Sequence, residues 1–180
     1  MKRKEITAVI LLMISIFIVG CSQNPSPTEG EPAMSIEMNS AAFAEGETIP
    51  EKYTCEGADL SPPLAWDGVP AEAQSLVIIA DDPDAPAGTW VHWVMFNIPP
   101  GTTQLPEDVS SIGIEGMNDF NRSGYGGPCP PPGSAHRYFF KLYALDTTLD
   151  LSPEARKEDV VKAMEGHILA QGQLMGTFSR

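Results

Sequence analysis

Four segments rich in β-branched and aromatic residues do most to limit the folds open to this chain. They are MSIEMNS (34–40), SLVIIAD (75–81), WVHWVMFNI (90–98) and HRYFFKLYAL (136–145). The stretches between them are dense in proline and glycine, which end strands and make turns. The pattern therefore predicts a mostly-β domain, not alternating strands and helices. One helix is expected near the end. Ser152-Pro153 offers a cap and a first-turn proline, EARKEDVVKAME carries Ala155, Val160, Val161, Ala163 and Met164 near helical spacing, and Gly166 supplies a stop. The following HILAQGQLMGTF suits a second helix or a last strand, and Gly172 and Gly176 favour the strand for its second half.

Before this region the chain changes character twice. Lys2, Arg3 and Lys4 precede an apolar run from Ile6 to Val19, which is shorter than the roughly 20 residues a spanning helix needs. Ile18-Val19-Gly20-Cys21 follows and resembles a bacterial lipobox. Residues 1–20 are thus expected to be a lipoprotein signal peptide, with Cys21 lipidated, in preference to a short uncleaved anchor. Residues 22–33 turn to Pro, Ser, Glu, Gln and Gly, so residues 21–33 read as a lipidated cysteine and a disordered tether. The folded domain is expected over residues 34–180. It would sit in the cell envelope, anchored by lipid on the exported side of a membrane.

Without residues 1–20, 8 basic groups remain against 23 acidic ones, a net charge of −15. A field of that sign repels phosphate backbones, so nucleic acid is not expected as a partner. Cys55 and Cys129 remain in a protein expected to be exported, where disulfides persist. They either pair or pack as two small apolar thiols, and sequence gives no Cα separation to decide between these.

Two segments are long for plain connections and are expected to be functional or self-packed: CEGADLSPPLAWDGVP (55–70) and NDFNRSGYGGPCPPPGSA (118–135). Polar chemistry gathers beside them. Asp81, Asp82 and Asp84 lie among prolines after one strand, His92 lies on the next, and His136 follows the proline-rich loop. By strand alternation His136 and Tyr138 share a face opposite Arg137 and Phe139, and Trp90, His92 and Val94 share a face opposite Val91 and Trp93. His92 and His136 converge if their strands are neighbours. A metal cage of Asp82, Asp84, His92 and His136 has suitable donors but no HExxH-type local pair, so no metal or other cofactor is expected. Ser123 and Ser134 lack a nucleophile-elbow context, and Gly124, Gly126 and Gly127 are not followed by the Lys-Ser/Thr of a phosphate loop. Asp81 and Asp84 are expected to cap turns or pair with Arg137.

These blocks carry a resemblance. DPDAP (82–86), His92-Trp93, GPCPPPG with HRYFFKLYALD (127–146), SPPLAW (61–66) and AMEGHILAQGQLMGTFSR (163–180) are similar, in order, to the phosphatidylethanolamine-binding protein family. They look most like its bacterial and archaeal branch, called Raf kinase inhibitor-like. The resemblance spans about residues 36–180. It implies two antiparallel sheets in a sandwich-like, Greek-key core with a few short helices, and a small surface pocket for phosphate-like or phosphoethanolamine-like groups. Carried over by position, the ligand-binding residues are Asp82, Pro86, His92, Pro130, Pro131, His136 and Tyr138. The resemblance further implies binding without catalysis, of a small phosphorylated or zwitterionic ligand, with inhibition or regulation of an unidentified protein partner. A metal-dependent hydrolase using the Asp/His cluster is the alternative. Asp59 stands where the branch often has asparagine, which is expected to add negative charge near the pocket.

Overall fold

The computed structural model describes residues 34–180. A large sheet has the order β1 (Met34–Ser35), β9 (Ile168–Phe178), β8 (His136–Leu145), β4 (Ser75–Asp82), β5 (Trp90–Ile98), β7 (Ile114–Glu115). A small sheet has the order β2 (Glu37–Asn39), β3 (Leu64–Asp67), β6 (Gln104–Leu105). All pairings are antiparallel except the short parallel β1–β9 contact. One α-helix, α1 (Lys157–Met164), and a 3-10 turn over Glu51–Tyr53 complete the elements. The mainly β fold expected from the sequence is thus present. The signal peptide, lipidated Cys21 and tether expected over residues 1–33 fall outside the described residues.

Every residue of β4 is buried because both faces of its sheet are covered. On one face Ile78, Trp93, Met95, Tyr138, Phe140 and Leu174 pack against Leu64, Trp66 and Leu105 of the small sheet. On the other Val77, Ile79, Val91, Val94 and Phe96 pack with Val160 and Met164 of α1. Three layers result. The segment 34–39 serves two of them: it pairs with β9, passes through buried Ile36, and then pairs with β3.

Several local expectations shift. The helix begins at Lys157, not after Ser152, because the Ala155 carbonyl is taken by Met117 N–H at 2.9 Å. Asp159 reaches back instead and accepts from Arg156 N–H at 3.0 Å. Gly166, at φ +80°, follows the helix as expected. HILAQGQLMGTF is a strand from Ile168 onward. The 55–70 segment contains β3, which its prolines and glycine obscure.

Candidate functional site: a pocket at the end of the large sheet

β4 lies between β5 and β8, so the strands carrying His92 and His136 are not neighbours. They converge on the end of β4, where Asp82 stands between them. In β5 the register steps from Ala80↔Trp93 to Asp81↔Val91, so β5 carries one extra residue opposite β4. This bulge overturns simple alternation: Val91 and Val94 fall on the helix-covered face, while Trp93 faces the small sheet. His92, within the bulge, is aimed at a surface cavity.

That cavity has a volume of about 210 Å³. Asp82, His92 and His136 meet there with Ala85 and Pro86 of the Asp-Pro loop, Trp90, Phe120, Cys129, Pro130 and Pro131. Of the residues expected from sequence, only Tyr138 is not in the wall. It stands behind it, 2% exposed, with its ring 5.2 Å from that of His92 in an edge contact. Its hydroxyl is buried without a hydrogen-bond partner. Burial and the Asp82 charge push its pKa well above the usual phenol value. Trp90 lines the cavity on the His92 face that alternation gives it, whereas Phe120 is a wall residue the sequence does not announce. Phe120 sets its ring 5.4 Å from both Trp90 and His92, forming an apolar collar. The only signal for it was its place in the long 118–135 segment.

Both imidazoles are pinned through Nδ1. His92 Nδ1–H donates to the Gly126 carbonyl at 2.6 Å, and His136 Nδ1 meets Asp82 Oδ2 at 2.8 Å. A carbonyl oxygen can only accept, which fixes the His92 tautomer, and an ionised carboxylate does the same for His136. Nε2 is left on each ring as the remaining polar atom. Burial pushes His92 below its ordinary pKa, partly opposed by the Gly126 carbonyl and the Asp82 charge. Asp82 Oδ1 accepts Asp84 N–H at 2.8 Å, the local turn that shapes the Asp-Pro loop.

The other carboxylates are committed elsewhere. Asp84 takes a two-pronged contact from Arg137, at 2.9 Å from Nε and 2.7 Å from Nη2, and these bonds hold its pKa down at about 2. Asp81 is buried between Lys141 and Lys157. Asp59 does not line the cavity, and its carboxylate accepts from Gly127 N–H and Arg122. The negative charge expected there is thus largely answered. Among the described residues no group of three or more His, Cys, Asp or Glu is arranged to hold a metal ion.

Cys55 and Cys129 are joined, with Cα atoms 5.4 Å apart across 74 positions of sequence. Closing so long a loop restricts the unfolded chain by about 4 kcal/mol on the chain-entropy argument. The bridge also ties the proline-rich wall to the 51–57 segment, aided by Cys55 N–H donating to the Pro128 carbonyl. Arg180 Nε donates to the Pro130 carbonyl at 2.7 Å, a second tie on the same wall.

A β-sandwich with an Asp-Pro loop, two pinned imidazoles and a proline-rich wall at one sheet end defines a binding-protein fold. The chain belongs to the phosphatidylethanolamine-binding protein family, whose model matches residues 39–179. A UPF0098 protein of Methanothermobacter thermautotrophicus is 54% identical over 81% of this chain and 99% of its own length. The UPF0098 protein PH1269 of Pyrococcus horikoshii is 46% identical over 98% of this chain and 90% of its own. The crystal structure of CT736, a phosphatidylethanolamine-binding protein homolog from Chlamydia trachomatis, aligns with a TM-score of 0.78 at 42% identity, covering 81% of this chain and 98% of that one. YbcL of E. coli, described as a member of the mammalian family, aligns at 0.76 with 30% identity, over 81% and 99%.

Proposed function

We propose that this chain is an exported, lipid-anchored binding protein whose cavity takes a phosphate-like or phosphoethanolamine-like group, and that occupancy regulates or inhibits a protein partner. The observation that carries this reading is the pair of imidazoles, each held by Nδ1 with Nε2 left over, around one small cavity with the Asp82 carboxylate. Protonated Nε2 atoms donate to phosphoryl oxygens, while Asp82 repels a bare dianion and attracts an ammonium. A zwitterion satisfies both demands, phosphate towards the histidines and ammonium towards Asp82. The cavity holds a headgroup and not a chain, so binding without turnover is the economical role. The anchor and the exported location rest on the sequence of residues 1–21, and the Raf kinase inhibitor-like name of the branch identifies no target.

The hydrolase alternative has less to draw on, since Asp84 is turned to Arg137 and leaves only Asp82, His92 and His136 facing the space. Calorimetric titration of the metal-free protein with phosphate and phosphoethanolamine, repeated with zinc, separates the two. Binding without metal, tighter for the zwitterion and weakened at least tenfold by His92→Ala, is expected. Binding seen only with zinc would replace the headgroup pocket by a metal site.

A further inference from the structure

The disulfide does more than close a loop. Cys129 lines the ligand cavity, and on its other side Cys55 and Cys129 together line a second recess of about 350 Å³ with Asp59, Phe120, Arg122 and Gly127. The bridge is therefore a partition between two cavities, and both cysteines are exposed. Its two sulfurs are not equivalent. Arg180 Nη1 points at Cys129 Sγ at 3.8 Å and at Glu56 at 3.3 Å. A neutral disulfide sulfur gains little from that guanidinium, whereas a thiolate gains a charge-assisted contact. Cys129 is thus the better leaving sulfur, and Cys55 is the one that faces only the open recess.

We propose that Cys55–Cys129 is a thiol-exchange site, in which a small thiol entering the recess becomes bonded to Cys55 and loosens the wall of the ligand cavity. The thiolate attacks Cys55 Sγ. A new S–S bond forms to Cys55, the Cys55–Cys129 bond breaks, and its electron pair stays on Cys129 as a thiolate beside Arg180. A second thiol attacks the mixed disulfide, leaves as a small-molecule disulfide and yields Cys55 thiol, so the thiols are oxidised and the bridge is reduced by two electrons. Two consequences follow for the cavity. Pro130 and Pro131 lose their covalent tie and are left to hydrogen bonds, from Arg180 Nε to the Pro130 carbonyl, from Gly133 N–H to the Arg180 carbonyl and from Cys55 N–H to the Pro128 carbonyl. A negative sulfur also enters the cavity wall, where it opposes an anionic ligand.

The exchange itself depends on no reading of the pocket; only its effect on binding does. The full-length protein is treated under native conditions with limiting 2-mercaptoethanol, the remaining thiols are alkylated, and the adducts are placed by mass spectrometry. The adduct is expected on Cys55 and the alkyl group on Cys129, with near-ultraviolet circular dichroism still reporting a packed core. Arg180→Gln is expected to slow exchange about fivefold or more and to erase the preference between the sulfurs. A bridge that yields only after denaturation, an adduct on Cys129, or an Arg180→Gln protein that exchanges as fast and as selectively would each overturn the proposal. Phosphate binding is then compared between oxidised and fully reduced protein, and in Cys55→Ser/Cys129→Ser. A loss of at least fivefold on reduction, smaller in the serine variant because it adds no charge, is expected. Equal binding by all three would sink the coupling to the wall. If no form binds phosphate, the pocket reading fails, and increased proteolysis within 118–135 on reduction decides the loosening by itself.

Discussion

At His92 two physical effects oppose each other, and their balance sets how the cavity responds to pH. Burial disfavours the charged ring, while the Gly126 carbonyl and the Asp82 carboxylate favour it, and burial is the larger. The resting ring is therefore neutral near pH 7, with Nδ1–H donated and Nε2 an acceptor. An anion needs a donor there, so binding draws in a proton. Sulfate, whose own charge is constant across this range, is expected to bind more tightly as pH falls from 8 to 6, by up to about tenfold per unit where one proton is linked. Calorimetry in buffers of different ionisation enthalpy would read the proton uptake directly. Affinity that is flat with pH, and no uptake, would remove His92 as a charged donor. Much of this residue set is legible in the sequence. Asp82 and the two histidines sit at strand ends, where position along the chain constrains position in space, while Pro86, Pro130 and Pro131 are reached only through the family resemblance of their blocks. Phe120 is not legible, since its ring contact with Trp90 joins segments 30 residues apart and no local pattern announces it.

Among the elements, β9 shows how a single missing side chain can hold two sheets together. At Gly172 an added Cβ would stand 2.1 Å from the Ile36 carbonyl oxygen, backbone that cannot swing aside. Ile36 N–H in turn donates to the Gln171 carbonyl at 2.9 Å. The chain crosses from the large sheet to the small one at this point, so the close approach is a condition of the sandwich. Gly172→Ala is expected to cost about 2 kcal/mol or more, read by urea denaturation, with the crossing strands loosened first in hydrogen exchange. A change within about 0.5 kcal/mol would show that the backbone can yield here. The long strands declare themselves in sequence because their β-branched and aromatic runs are longer than any local ambiguity. β6 and β7 do not, since a two-residue strand has no period to detect. The bulge beside His92 is equally silent, and that is why alternation misassigned Val94 to the His92 face: one inserted residue flips those after it until a second register step before Ile98.

For the molecule as a whole, stability against pH is set by groups whose environments differ between folded and unfolded chain, and Glu115 is the clearest of them. It lies on β7 at the edge of the large sheet, where burial raises its pKa to about 7 from an ordinary 4.5, opposed by a hydrogen bond from the Trp93 indole at 2.9 Å. The sign follows from proton counting. Between pH 4.5 and about 7 the folded protein keeps this proton and the unfolded chain has lost it, so stability falls as pH rises through that window and is level above it. His92 acts oppositely. Its lowered pKa makes the unfolded chain the stronger proton acceptor below 6.5, so its contribution is complete above 6.5 and is lost as pH falls through the folded value. The two oppose each other just below pH 6.5, and wild-type stability alone cannot separate them. Glu115→Gln can. The amide mimics the protonated acid and does not ionise, so the variant should match the parent near pH 4.5 and exceed it at pH 8 by about 1–3 kcal/mol, the range allowing for its partial exposure. Paired urea titrations at the two pH values measure this difference with His92 common to both proteins. A gap that does not grow with pH would mean that Glu115 ionises in the folded state as freely as in water, and that the sheet edge around Trp93 is open to solvent.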